Sequence, residues 1–310
     1  MLAMYDMRKE PLKPPFPYFG SKLKIAGAVW QRFGRVRNYV EPFAGSLAVF
    51  LAAPYPLQYS TVNDIDGFVV NFWRAVKYNP DAVADFADWP KTELDLVARH
   101  AWLVAQSDTL VKRLREDPHF YDAKVAGWWV WWHSASIALK FGFARNMQQQ
   151  LPDGTTCGVH RTLPQSYKES YDSICDAKSA WLRDYMQALA DRLRFTNITC
   201  GDYSRTLSYT YLHKHGLTAV FLDPPYGAER KRLYRCDSFD ILRDVREWCR
   251  ENGGNPLLRI ALCGYEGEHN ELEEYGWRKV EWNSGSTRHN RNRVCKERIW
   301  YSPHCVPIGE

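Results

Sequence analysis

The chain has 310 residues, 45% of them hydrophobic and 25% charged, with a net charge of +5. That balance belongs to a soluble globular protein with one large core, or with one core and an inserted lobe. Eight cysteines without a Cys-x-x-Cys pair speak against a metal site. The polar, proline-rich start, Met1 to Pro15, lacks a secretory apolar core. The most apolar run, Ala126 to Leu139, is too short to span a membrane and carries His133 and two serines. The expectation is a cytoplasmic protein with free thiols, no metal and no membrane contact. A small basic excess and 13 Trp with 18 Tyr suit a polyanionic partner, although most of the aromatics are expected in the core.

Pro14 to Lys22 reads as a stiff aromatic stretch. It is either an extended arm or a segment closing over a small ligand at a helix start. Ser21 is a candidate N-cap, and Leu23, Ala26, Val29, Trp30 and Phe33 recur at helical spacing until Gly34. Asn38 to Phe43 then reads as a strand, Ala44-Gly45-Ser46 as a turn, and Leu47 to Ala53 as a helix. Strand, glycine turn and helix let backbone approach a nucleotide-like ligand closely. The next strand, Tyr59 to Val62, leads to Asn63-Asp64-Ile65-Asp66. Asp64 follows Gly45 by about 20 residues, the spacing at which an acid meets ribose hydroxyls in such folds. The alternative for Asp64 is a plain loop acid. Asp66 is the N-cap of a helix whose register runs through Phe68, Val69, Phe72, Trp73 and Val76.

From Asn79-Pro80 the pattern changes to helices over Asp81 to Phe86, Thr92 to Arg115 and Phe120 to Phe141, broken at Pro90 and Asp117-Pro118. Four tryptophans between Gly127 and Ser134 cannot all face one way, and read as core on two sides of a buried helix. Gly142 to Lys178 is polar, with Arg145, Asn146 and Arg161 among the side-chain types that read base edges in the major groove. A loop this long is usually functional or disordered, and DNA recognition is the reading preferred. Residues 80–178 are therefore taken as an inserted helical and target-recognition region, and 1–79 with 179–310 as the catalytic domain.

The sheet pattern resumes after a helix over Ala180 to Arg194. The strand Phe195 to Thr199 is followed by Cys200-Gly201-Asp202-Tyr203. Asp202 suits the adenine amino group of a cofactor, or an N-cap for Ser204 to His215, or both. Ala219 to Leu222 reads as a strand buried on both faces that ends in Asp223-Pro224-Pro225-Tyr226. Two prolines cannot continue a central strand, so Asp223 is a carboxylate at its carboxyl end, followed by rigid backbone and an aromatic ring. Average residue usage makes a chance Asp-Pro-Pro-Tyr in such a chain about a one-in-a-thousand event. Arg230, Lys231 and Arg232 leave from this edge and suit phosphate contact. Helix Asp240 to Asn252, strand Leu257 to Leu262 and a short helix Glu268 to Glu274 follow. Trp277 to Trp282 and Val294 to Tyr301 read as an antiparallel hairpin, with Arg288, Arg291 and Arg293 in a second basic loop between them.

Asp223-Pro224-Pro225-Tyr226, placed after a cofactor-type glycine turn and a recognition-type region, resembles the catalytic signature of the Dam-type DNA adenine methyltransferases of bacteria and phages, in their alpha-group motif order. The resemblance implies a Rossmann-like α/β fold: a mostly parallel seven-stranded sheet with a C-terminal antiparallel hairpin and an inserted recognition lobe. It implies S-adenosyl-L-methionine as cofactor, held by Tyr18, Phe19, Gly20 and Lys22, by Glu41, Pro42, Phe43, Ala44, Gly45 and Ser46, by Asp64 and Ile65, and by Asp202 and Tyr203. Lys22 would meet the cofactor's carboxylate. The family's second glycine falls on Leu47 here. The implied activity is methyl transfer to N6 of an adenine flipped out of double-stranded DNA, within a bacterial or phage-infected cell, with a cognate restriction nuclease or none as partner. N4-cytosine methylation, an RNA or protein amide methyltransferase with a related signature, and a DNA-binding relative without catalysis are the alternatives.

Overall fold

The computed structural model describes residues 12–16, 18, 21–90, 92–138, 179–225, 240–282 and 297–307. Its centre is a sheet of seven strands: β1 (Asn38–Glu41), β2 (Tyr59–Asp64), β3 (Thr196–Cys200), β4 (Thr218–Leu222), β5 (Leu258–Tyr265), β6 (Arg278–Trp282) and β7 (Glu297–Tyr301). The spatial order is β3-β2-β1-β4-β5-β7-β6. The first five strands in that order run parallel. β7 is antiparallel to β5, and β6 to β7. This is the expected Rossmann-like arrangement, a mostly parallel seven-stranded sheet closed by a C-terminal antiparallel hairpin. Chain direction across the sheet reverses between β1 and β4, so their carboxyl ends flank a topological switch point, where open α/β sheets bind ligands.

Every residue of β1 and β4 is buried. Ala219 and Phe221 face one apolar layer and Val220 and Leu222 the other, as a strand covered on both faces requires. The first layer is built by α1 (Ala26–Phe33), α2 (Ala48–Leu51), α3 (Gly67–Tyr78), α4 (Pro80–Ala87), α5 (Glu93–Glu116), α6 (Ala123–Ala138) and α7 (Ser179–Leu193). The second is built by α8 (Tyr209–Leu212), α9 (Asp240–Asn252) and two 3₁₀ turns, Tyr203–Leu207 and Asn270–Tyr275.

Side chains set two helix starts, at Asp66 as expected and at Thr92, which caps the helix it was expected to begin. Asp66 accepts from Phe68 N at 2.8 Å, and Thr92 accepts from Asp95 N at 3.1 Å. Ser21 is not the cap of α1, which begins only at Ala26 behind Ile25 with no side-chain cap. Ser21 Oγ lies 3.2 Å from Ser46 Oγ instead, and Ile25 N closes a turn on the Lys22 carbonyl at 3.1 Å. The stretch Ser204 to His215 is a 3₁₀ turn and a single turn of α-helix rather than one helix. β2 runs on to Asp64 and β5 to Tyr265, each beyond its expected end.

The tryptophan-rich helix α6 is core on more than one side. Trp129, Trp131 and Trp132 are buried, and Trp131 Nε1 donates to Trp89 O at 2.8 Å. The buried Arg99 guanidinium lies over the rings of Trp89, Trp128 and Trp131 at 5.0, 4.8 and 4.3 Å. Phe16 packs edge-on against Phe72 and Trp129, which ties the proline-rich stretch to α3 and α6. The apolar side chains of α4 to α6 are continuous with the layer over the sheet.

Candidate active site

β4 delivers Asp223 to the switch point. Its side chain is 20% exposed, at the rim of a buried strand, with Pro224 buried and Pro225 half-buried behind it. The Lys22 ammonium, only 2% exposed, lies 2.8 Å from Asp223 Oδ2. Tyr226 lies outside the described residues, as do Phe19 and Gly20.

β1 ends beside it in Glu41, which is 3% exposed and accepts a hydrogen bond from Tyr39 Oη at 2.8 Å. Burial pushes the Glu41 carboxyl well above the usual range. The Tyr39 hydrogen bond opposes that rise, and the negative charges of Asp223 and Asp64 add to it. Glu41 thus feels the acids at the ends of both neighbouring strands.

The turn Pro42 to Ser46 is held from three sides. Trp73 Nε1 donates to Gly45 O at 2.9 Å, and Ala44 N donates to Asn63 O at 2.7 Å. Gly45 N donates to Asp64 Oδ2 at 2.8 Å. Gly45 has φ +46°, and a Cβ there would stand 2.8 Å from Tyr18 Cε1. Glycine is needed at this position for both reasons. Leu47, in the place of the family's second glycine, has φ 54°. The backbone therefore keeps the left-handed geometry that glycine adopts without strain. The Leu47 side chain is fully buried, and that packing holds the conformation.

Asp64 is at the end of β2. Its second oxygen accepts from Asp66 N at 2.9 Å, so each oxygen braces a backbone amide. Burial, with the charge of Asp66, raises its pKa to about 6 against these stabilising hydrogen bonds. Ile65, beside it, is 40% exposed. At the end of β3, Asp202 is exposed and accepts from Ser204 N at 2.9 Å, which is its N-cap role. The Tyr203 ring stacks on Phe43 with centroids 5.0 Å apart, so the ends of β1 and β3 meet through aromatic faces.

The residues expected at Tyr18, Lys22, 41–46, 64–65, 202–203 and 223–225 accordingly surround the carboxyl ends of β1, β2, β3 and β4. A second group was not expected. Asn63, 3% exposed, donates to both Pro42 O and Gly201 O at 3.0 Å, clamping two of the loops to each other. A buried Asn just before a strand-end acid is the local signal for it. Trp73 carried no such signal, because its carbonyl partner is 28 positions away. The expected DNA contacts Arg145, Asn146, Arg161, Arg230, Lys231, Arg232, Arg288, Arg291 and Arg293 all lie outside the described residues.

The donor set fits an adenosyl ligand. Gly45 lets the Tyr18 ring close against the turn, an acid follows at the end of β2, and Ile65, Phe43 and Tyr203 supply apolar surface beside them. Among the described residues no group of three or more His, Cys, Asp or Glu could hold a metal ion. No helix there is long and apolar enough to cross a membrane.

Residues 18–100 match the family model described as D12 class N6 adenine-specific DNA methyltransferase. The match takes in the glycine turn and Asp64 and ends before Asp223. Enzymes of this class methylate N6 of adenine in DNA. No curated protein matches the chain.

Proposed function

We propose that this D12-class DNA adenine methyltransferase uses S-adenosylmethionine and acts on an adenine flipped out of double-stranded DNA, with Asp223 and the Pro224 carbonyl as the acceptors that activate its amino group. The observation that carries this reading is Asp223 itself. It stands at the rim of the central buried strand, next to the end of the strand that leads into the glycine turn.

The exocyclic amine of adenine is a poor nucleophile because its lone pair is spread into the ring. Acceptors on its two N–H bonds draw that pair back onto nitrogen. Fixing both acceptors on proline-stiffened backbone removes the cost of arranging them during reaction. Tyr226 would stack on the base, a contact of roughly 1–3 kcal/mol. Extruding the base costs a few kcal/mol, repaid by such contacts. S-adenosylmethionine, when bound, supplies a methyl group already made electrophilic by its sulfonium. Gly45 and Ser46 would take its backbone-facing side, Asp64 the ribose hydroxyls, Ile65 and Phe43 the faces of its adenine, and Asp202 with Tyr203 the adenine edge. Residues 80–178 are assigned target recognition, and Arg230 to Arg232 with Arg288, Arg291 and Arg293 are assigned phosphate contacts that would make binding salt-dependent.

Labelled methyl transfer to plasmid DNA, followed by nucleoside analysis, tests this. N6-methyladenine is expected from the native protein. Asp223→Ala is expected to abolish transfer while DNA binding in a mobility-shift assay largely survives. Methylated cytosine as the product, or unchanged turnover in Asp223→Ala, would overturn the reading.

A further inference from the structure

We propose that Lys22 is a positioning residue for Asp223: its ammonium holds one oxygen of that carboxylate, and thereby sets the rotation and charge of the group that meets the target amine. This deepens the function proposed above and rests on it. It also departs from the role that the family resemblance implies for Lys22, contact with the cofactor's carboxylate.

Three observations support it. The Nζ–Oδ2 distance is 2.8 Å, and the lysine is 2% exposed while the acid is 20% exposed. A lysine buried to that degree is found where a fixed counter-charge offsets its lost hydration. The carbonyl of Lys22 is tied by Ile25 N at 3.1 Å, and Ser21 beside it is linked to Ser46 of the glycine turn. The ammonium is thus carried on a fixed backbone. The acid also has a second carboxyl competing with it for charge. Buried Glu41 at the end of β1 feels the charges of both Asp223 and Asp64, and the buried thiol of Cys263 on β5 feels those of Asp223, Lys22, Glu297 and Glu41. Two coupled carboxyls cannot easily both ionise, so a carboxylate at 223 without its cation and partly removed from water would favour the protonated form. A protonated Asp223 loses an acceptor and cannot draw the lone pair onto nitrogen.

The test reads the charge of Asp223 directly in the cofactor-free protein. The chain is labelled at aspartate carboxyl carbons, and the signal of residue 223 is assigned by its loss in Asp223→Asn. In Lys22→Met, which keeps side-chain length without the charge, the titration midpoint of Asp223 is expected to rise by about 1–3 pH units. The acid limb of kcat should move with it, and Lys22→Arg should restore both. Affinity for S-adenosylmethionine, measured by equilibrium dialysis at pH 8, should change less than about threefold, which is under 1 kcal/mol. Lys22→Gln provides the same measurement should Lys22→Met fail to fold. An unmoved titration midpoint overturns the proposal. An unmoved midpoint with a tenfold loss of affinity assigns Lys22 to the cofactor instead. If the native protein transfers no methyl group, the functional reading falls, while the titration still judges the pair.

Discussion

Gly45→Ala is the substitution whose cost can be worked out most fully. The residue has φ +46°, in the region where an L side chain crowds its own backbone, worth about 1–2 kcal/mol. The added methyl would sit 2.8 Å from Tyr18 Cε1 and 3.1 Å from Cδ1. Carbon pairs are comfortable at about 3.5–4.0 Å, so the ring must move by roughly 0.7 Å or more. Overpacking of this kind costs about 1–3 kcal/mol. Together the destabilisation is about 2–5 kcal/mol, measured by urea unfolding. S-adenosylmethionine affinity should fall as well, because the displaced ring and turn both border the site. Repeating the change in a Tyr18→Ala background separates the two causes. There the collision is gone, and only the backbone share of about 1–2 kcal/mol should remain. Gly254→Ala is the control. A Cβ there meets nothing within 4 Å and the position has no positive φ, so its effect should stay within about 0.5 kcal/mol. A Gly45→Ala protein with native stability and native cofactor affinity would refute the reasoning about this turn.

Asn63→Leu keeps the size of the side chain but removes both donors to Pro42 O and Gly201 O. The buried carbonyls left behind should cost about 2–5 kcal/mol in urea unfolding and weaken cofactor binding. A loss below about 1 kcal/mol would mean that water replaces the clamp. Two groups partly or wholly removed from water, His269 and Asp64, oppose each other in acid. Burial lowers the His269 ring from 6.5 to about 4, so between those values the unfolded chain takes up a proton that the folded one does not. Stability is lost as pH falls through that window, by at most about 3 kcal/mol. Asp64 is raised from 3.8 to about 6, so there the folded chain takes up the proton first and stability rises as pH falls. Unfolding measured from pH 7 to pH 4.5 should therefore show less acid destabilisation in His269→Leu than in the native protein, and more in Asp64→Asn. Parallel pH profiles in all three would contradict these assignments.

The pattern of apolar residues was enough to find the strand that ends in Asp223, the cap at Asp66, the extent of α9 and the antiparallel hairpin. These features depend on contacts within a few residues or on one strand's own alternation, and both are written locally. It also located most of the loops that meet at the site, because acids and glycines at strand ends are local signals. What it left open was decided by neighbours distant in the chain. Lys22 and Asp223 are 201 positions apart and meet only because β1 and β4 pair in parallel. Asp64 has its carboxylate taken by the amides of Gly45 and Asp66, a use that no spacing rule distinguishes from contact with a ligand. Ser21 was expected to cap a helix and instead meets Ser46, because the chain before α1 is drawn across the turn. Leu47 keeps a backbone conformation suited to glycine because its side chain is enclosed on all sides. Periodicity reports which face of a segment avoids water. Which partner that face or that carboxylate meets is set by strand order and register, and those exist only once the sheet has assembled.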